Sequence, residues 1–192
     1  RRVEVQRGNE PPETLPANLD GMVVVLDVAP GFFDAFGAPV VDGRDFHPGD
    51  AEAEPGPVIV NEAFVRNLGG SAVGARVRHA TPAGEDPGPW HEIVGVVADL
   101  GMEPTDRGEA DGLFHPAAPA DAYPLEVAVR TRGEPASLTP RLGALAFEVD
   151  PRLRLYDVMS LYEVVRRRQL PIVIISTAAT GVVGVALLLS VA

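Results

Sequence analysis

The chain has 192 residues and a formal net charge of −11, from 16 basic and 27 acidic residues. Phosphate binding needs a basic surface, so the balance argues against nucleic acid as a partner. Every basic residue is Arg and Cys is absent, which excludes a P-loop, a Schiff-base Lys, a Cys nucleophile, a thiolate metal site and any disulfide.

The opening RRVEVQRGNE has no apolar run behind its basic pair, so it does not read as a signal peptide. Residues 1–20 are polar and Pro-rich and predict a lead-in strand and loop. The β-branched run Met22–Val28 predicts a strand. Pro30 then opens a short helix over GFFDAF, with Phe32, Phe33 and Phe36 on one face and Gly37 as its stop. APVVDGRDF predicts a short strand and turn, and residues 48–57 an acidic, breaker-rich surface loop. Val58–Val60 predicts another strand. Asn61 is a good N-cap for the helix EAFVRNL, which Gly69-Gly70 ends.

ARVRHA alternates outward Arg with inward apolar residues, as a half-buried strand does. WHEIVGVVADL (90–100) carries the strongest strand signal, with Gly95 as a bulge or a close backbone approach. Residues 101–121 predict a long acidic loop containing LFHP, and YPLEVAVRT (123–131) a strand. Leu138, Leu142, Leu145 and Val149 share a face of an amphipathic helix that Asp150-Pro151 ends. LRLYDV predicts a strand. Ser160-Leu161-Tyr162-Glu163 is a capping box, S-x-x-E, opening a further helix with Leu161, Val164 and Val165 on one face.

Arg166, Arg167 and Arg168 follow, and then Leu170–Ala192 has no charged residue. At about 1.5 Å per residue a helix of that length matches the roughly 30 Å hydrocarbon layer of a bilayer. The arginines suit the headgroup region, where they pair with lipid phosphates. Thr177 with Gly181, and Thr180 with Gly184, form small-xxx-small pairs that allow another helix to approach closely. The reading is an α+β fold with a mixed sheet and short helices over residues 1–159. A stalk helix follows over 160–169 and a transmembrane helix over 170–192, in a chain cut from something longer.

Few residues offer chemistry. Asp42, Asp45, His47 and Asp50 could ligate a metal, but they lie on one turn and read better as side-chain caps. Asp106, Glu109 and Asp111 miss the calcium-loop spacing. Gly69–Val73 fails the nucleophile elbow, since Val73 stands where Gly is needed. His79, His91 and His115 are scattered singly and read as structural or surface residues. Trp90 reads as core. No cofactor site emerges.

Several segments together resemble one family. VAPGFFDAFGAPVVDGRDF, PVIVNEAFVRNLGGSAVGARVR, HEIVGVVADL and PASLTPRLGALAFEVDPRLRLYDVMSLYEVV are similar, in order, to segments of MacB/FtsX-type ABC transporter permeases. The resemblance runs from about Val23 to Ala192. It departs at Leu68–Ala72, where the family usually has an aromatic residue and a Pro, and at Pro140. It implies an extracytoplasmic core domain inserted between membrane spans, held in the inner membrane and working with a separate ABC ATPase and a second permease subunit or half. It further implies a binding and coupling role on an unknown cargo, not catalysis. On that reading three Arg stand outside the membrane, against the positive-inside bias. Two alternatives remain: a tail-anchored domain facing the cytoplasm, and a membrane-tethered hydrolase using Asp42 and Asp45.

Overall fold

A computed structural model describes residues 2–15, 23–81, 87–101, 104–105, 108–118, 126–152, 155–160 and 162–164. The chain divides into two compact units, Arg1–Arg130 and Thr131–Ala192.

The first unit is built on one mixed sheet. In chain order its elements begin with β1 (Val3–Gln6), β2 (Glu13–Thr14), β3 (Val24–Val28), α1 (Phe32–Phe36) and β4 (Val40–Gly43). A 3-10 turn over Pro48–Glu52 leads to β5 (Val58–Asn61), α2 (Glu62–Leu68), β6 (Arg76–His79) and β7 (His91–Val97). The short hairpin β8 (Pro104–Thr105) and β9 (Gly108–Glu109) precedes β10 (Gly112–Pro116). Among the described residues the strand order is β2-β1-β6-β7-β5-β10-β3, with β4 also paired to β7. The β5–β7 and β10–β3 ladders are parallel, and the others antiparallel.

The helices stop where the sequence provides a left-handed residue. Gly37 (φ 70°) and Gly69 (φ 70°) close α1 and α2, a backbone region that costs Gly nothing. Asn61 caps α2 as its spacing predicts, accepting from Phe64 N at 3.0 Å.

Two apolar clusters occupy the two faces of the sheet. Val58, Val60, Phe64, Val77, Ile93 and Leu113 belong to one, on the α2 side. Phe33, Phe46, Ile59, Val97 and Phe114 belong to the other, on the α1 side. There Phe33 and Phe114 meet edge to face, with ring centroids 5.1 Å apart, and each buried ring contributes about 1.5–3 kcal/mol by burial.

Gly95 does mark a close backbone approach. It lies across from Gly43 in the β4–β7 ladder. A Cβ on Gly95 would stand 2.2 Å from the Arg44 carbonyl oxygen, and one on Gly43 2.2 Å from the Val94 carbonyl oxygen. Here the edge of β7 changes partner: Ile93 N donates to Ala75 O, next to β6, and Arg44 N donates to Val94 O, next to β4.

Three expectations need correction. The stretch expected as a long loop over 101–121 contains β10, which lies between β5 and β3 in the sheet. Its Leu113 and Phe114 face opposite clusters, so burial on both sides replaces the alternating pattern that marks a half-exposed strand. The strand expected over 123–131 is absent from its described part: residues 126–130 join no ladder, and Val127 and Val129 are exposed. Alternation supplies a face, but a strand also needs a hydrogen-bonding neighbour. Likewise residues 155–158 of LRLYDV form no strand.

The second unit contains a 3-10 turn (Pro135–Ser137) and α3 (Thr139–Val149). Pro140 falls in the first turn of α3, where a missing N–H leaves no hydrogen bond unmade. No α3 residue is buried, and Leu145, Phe147 and Val149 are exposed. Among the described residues no helix is long and apolar enough to cross a membrane. The expected span over 170–192 lies outside the described residues, as do Arg166, Arg167, Arg168, Thr177, Thr180, Gly181, Gly184, Leu161 and Val165.

Candidate functional site

The carboxylates of the VDGRDFHPGD turn are each held by neighbours. Asp42 Oδ1 accepts from Gly43 N at 2.9 Å and Asp45 Oδ1 from Phe46 N at 2.7 Å. Asp50 takes both ends of the Arg44 guanidinium, at 2.6 and 3.1 Å, and accepts from His47 N at 2.8 Å. The bidentate Arg44 bond holds the Asp50 carboxyl below the usual carboxylate range, and Asp50 in turn raises the Arg44 pKa. This turn is a clamp that fixes the start of the 3-10 segment. Asp42 and Asp45 each accept the N–H of the residue that follows, as side-chain caps of the turn do.

A second polar hub sits where β5 passes into α2. Asn61 is 3 % exposed. Besides capping α2, its Oδ1 accepts from Gly112 N at 2.8 Å, and its Nδ2 donates to Ala110 O at 2.8 Å. One side chain thereby ties α2 to the entry of β10. Asp111, also 3 % exposed, accepts from Asn67 Nδ2 at 2.7 Å. Asp99 closes the first turn of α2, taking Ala63 N at 2.9 Å and Arg66 Nη2 at 2.7 Å. An acidic group at a helix N-terminus also complements the helix dipole. These contacts position elements of the fold.

Trp90 is half-buried, with the Arg78 guanidinium 4.4 Å over its ring. Arg78 also pairs with Glu4 across the β1–β6 ladder at 2.7 Å. A shallow depression of about 290 Å³ is lined by Arg7, Gly8, Ser71, Val73, Gly74 and Ala75. Its cation, Arg7, is engaged by Glu13 and by the Leu68 carbonyl oxygen.

In the second unit Ser160 and Glu163 exchange capping-box hydrogen bonds. Glu163 Oε2 accepts from Ser160 N at 2.9 Å, and Ser160 Oγ accepts from Glu163 N at 3.3 Å. Residues 162–164 are helical after it.

The histidines do not stand singly. His115 meets His91 edge to face, with ring centroids 4.9 Å apart, and His79 at a tilt, with centroids 5.9 Å apart. No local spacing announces this, because the three residues come from three strands that meet only through sheet register.

Residues 3–151 match the MacB-like periplasmic core domain family. The chain belongs to that family. This MacB-like domain has solved relatives. The periplasmic region of MacB from Actinobacillus actinomycetemcomitans is 16 % identical, with 78 % of this chain and 63 % of that chain covered at a TM-score of 0.45. A domain of a putative permease protein from Porphyromonas gingivalis is 19 % identical, with 82 % and 68 % covered, also at 0.45. The extracellular domain of the noncanonic ABC-type transporter YknZ from Gram-positive bacteria is 20 % identical, with 60 % and 50 % covered at 0.35. The MacB-like domain thus spans less than two thirds of the MacB periplasmic region it resembles. A search of curated proteins finds no match.

Proposed function

We propose that this chain is part of an ABC transporter permease whose extracytoplasmic domain transmits ATP-driven motion to cargo, without catalysis of its own. One observation carries this reading: a MacB-like periplasmic core domain over residues 3–151 is followed by a charge-free stretch, 170–192, behind Arg166–Arg168. In this reading residues 1–159 are the core domain, 160–169 a stalk and 170–192 a membrane span. Ser160 and Glu163 fix where the stalk begins, and Leu161, Val164 and Val165 form its apolar face. Arg166, Arg167 and Arg168 lie at the membrane interface. Thr177, Thr180, Gly181 and Gly184 pack against a neighbouring span. The ATPase sits on another chain or segment, since a sequence without Lys cannot supply the P-loop Lys. A second permease subunit or half completes the pair.

The absence of Cys from the sequence gives a direct test of sidedness. Ser71 is exposed, so Ser71→Cys introduces a unique thiol on the domain. In cells with a permeable or removed outer layer, a membrane-impermeant maleimide should label it without lysis. Labelling only after the inner membrane is opened would instead support the tail-anchored, cytoplasmic arrangement that the Arg cluster favours under the positive-inside bias.

A further inference from the structure

Among the described residues most arginines are held in place. Arg7, Arg44, Arg66, Arg78 and Arg152 pair with carboxylates. Arg76 lies in β6, between β1 and β7, and Arg141 lies within α3. The Arg2 carbonyl oxygen accepts from Ala80 N beside the β1–β6 ladder. Arg130 Nη1 donates to the Asp34 carbonyl oxygen at 3.3 Å. Arg132 differs from all of these. It is exposed, lies in no helix or strand, and joins no ion pair among the described residues.

The backbone around Arg132 is open as well. Residues 126–130 and 132–135 are exposed, and 126–134 belong to no ladder or helix. A Cβ on Gly133 would meet no atom within 4 Å. Thr131 Oγ1 donates to the Gly133 carbonyl oxygen at 2.8 Å, a local bond that one side-chain rotation releases. Arg132 and Gly133 stand at the start of the second unit, which begins at Thr131.

An endoprotease binds its substrate as an extended strand, through main-chain hydrogen bonds and a pocket for a side chain. A peptide bond inside a ladder or helix is reached only after local unfolding, so its cleavage is limited by the small open population. The bond after Arg132 requires no such opening. An arginine-specific pocket further requires a guanidinium that is free to meet a carboxylate at its base, and Arg132 offers one.

We propose that the Arg132–Gly133 bond is a cleavage site for arginine-specific endoproteases, accessible in the folded chain. Water adds across the peptide bond, leaving a carboxylate on Arg132 and an amino group on Gly133. The cut separates the sheet, within residues 1–132, from residues 133–192. Its consequence rests on the transport reading: cleavage unlinks the sheet from the proposed span over 170–192 and switches coupling off. The site itself does not depend on that reading.

Trypsin is the probe, acting briefly on the whole chain in detergent, with fragments read by mass. Between Arg7 and Arg166, the first cut should fall after Arg132 and create an N-terminus at Gly133. Arg132→Gln should slow that cut by about 10⁴-fold, because a pocket built to bind one polar group rejects a side chain that lacks it. Arg132→Lys should keep the cut, and both variants should match the wild type in thermal midpoint. A first cut anywhere else in that range, Arg130 included, overturns the proposal. So does a Gly133 N-terminus that forms at the wild-type rate in Arg132→Gln. In spheroplasts, trypsin added outside should produce the same fragment. A chain cut at Arg132 in detergent but intact in spheroplasts until lysis keeps the site and overturns the extracytoplasmic placement.

Discussion

Asn61→Ala should be among the most damaging single substitutions in the domain, although it removes only a few atoms. Three hydrogen bonds leave together: the α2 cap to Phe64 N, and the bonds to Gly112 N and Ala110 O. Loss of an N-cap costs about 1 kcal/mol. The two partners at the entry to β10 lose their side-chain partner at a buried site, at about 1–3 kcal/mol each. The sum, about 3–7 kcal/mol, is a large share of the roughly 5–15 kcal/mol that holds a domain folded. Asn61→Asp separates the parts. It keeps an oxygen for Phe64 and Gly112 but sets a second oxygen against the Ala110 carbonyl, in a site shared with buried Asp111. At neutral pH it should therefore be about as damaging as Ala, and it should recover as acid protonates the new carboxyl and lets it donate. Urea unfolding read from the single Trp, Trp90, measures both. A loss below about 1 kcal/mol for Asn61→Ala, or wild-type stability of Asn61→Asp at neutral pH, would refute the hub.

The Arg44–Asp50 clamp should show an acid signature. Asp50 is held below its ordinary value by Arg44, so its stabilisation is complete above the unfolded value near 3.8 and is lost as pH falls through the lower folded value. The stability gap between wild type and Asp50→Asn should therefore narrow as pH drops below about 4, and high salt should shrink it further because Arg44 is partly exposed. Gly95→Ala, with a Cβ 2.2 Å from the Arg44 carbonyl oxygen, should cost about 3 kcal/mol in the same urea assay, whereas Gly88→Ala, with open space around it, should cost under about 0.5 kcal/mol. Inserting two Gly between Val165 and Arg166 should soften the proposed stalk by about 1 kcal/mol per Gly. Transport by the assembled complex should then fall while ATPase binding persists, and wild-type transport would make the stalk a passive tether.

Local signals carried much of the fold. Asn61 followed by EAFVRNL and Gly69 states a cap, a short helix and its stop, and nothing further along the chain has to cooperate for those to form. Gly95 within a strong strand pattern announces a close approach, although the opposing Gly43 carries no comparable mark. What stayed hidden depends on pairing. β10 is five residues long, lies amid acidic residues and faces apolar neighbours on both sides, so no period of two shows. Residues 126–130 show that period and have no ladder. The histidines are the clearest case: His79, His91 and His115 become neighbours only once β6, β7 and β10 are placed in one sheet. Asp50 was legible as a cap, but its Arg44 partner was not, because an ion pair across a turn leaves no fixed spacing.

The arrangement of the two clusters bears on how such a domain could carry force. β5 gives Val58 and Val60 to one cluster and Ile59 to the other, β10 divides Leu113 from Phe114 in the same way, and β7 divides Val96 from Val97. A hinge or a sliding layer needs a seam that opens without breaking both cores, and these three strands offer none, since a one-residue slip would turn each strand's apolar side chains to the wrong face. Asn61 adds a polar tie between β5, α2 and the entry to β10, where a seam between helix and sheet would otherwise run. If this domain works as the proposed function requires, the sheet moves as one body, and the compliance that sets the stroke has to lie elsewhere in the permease.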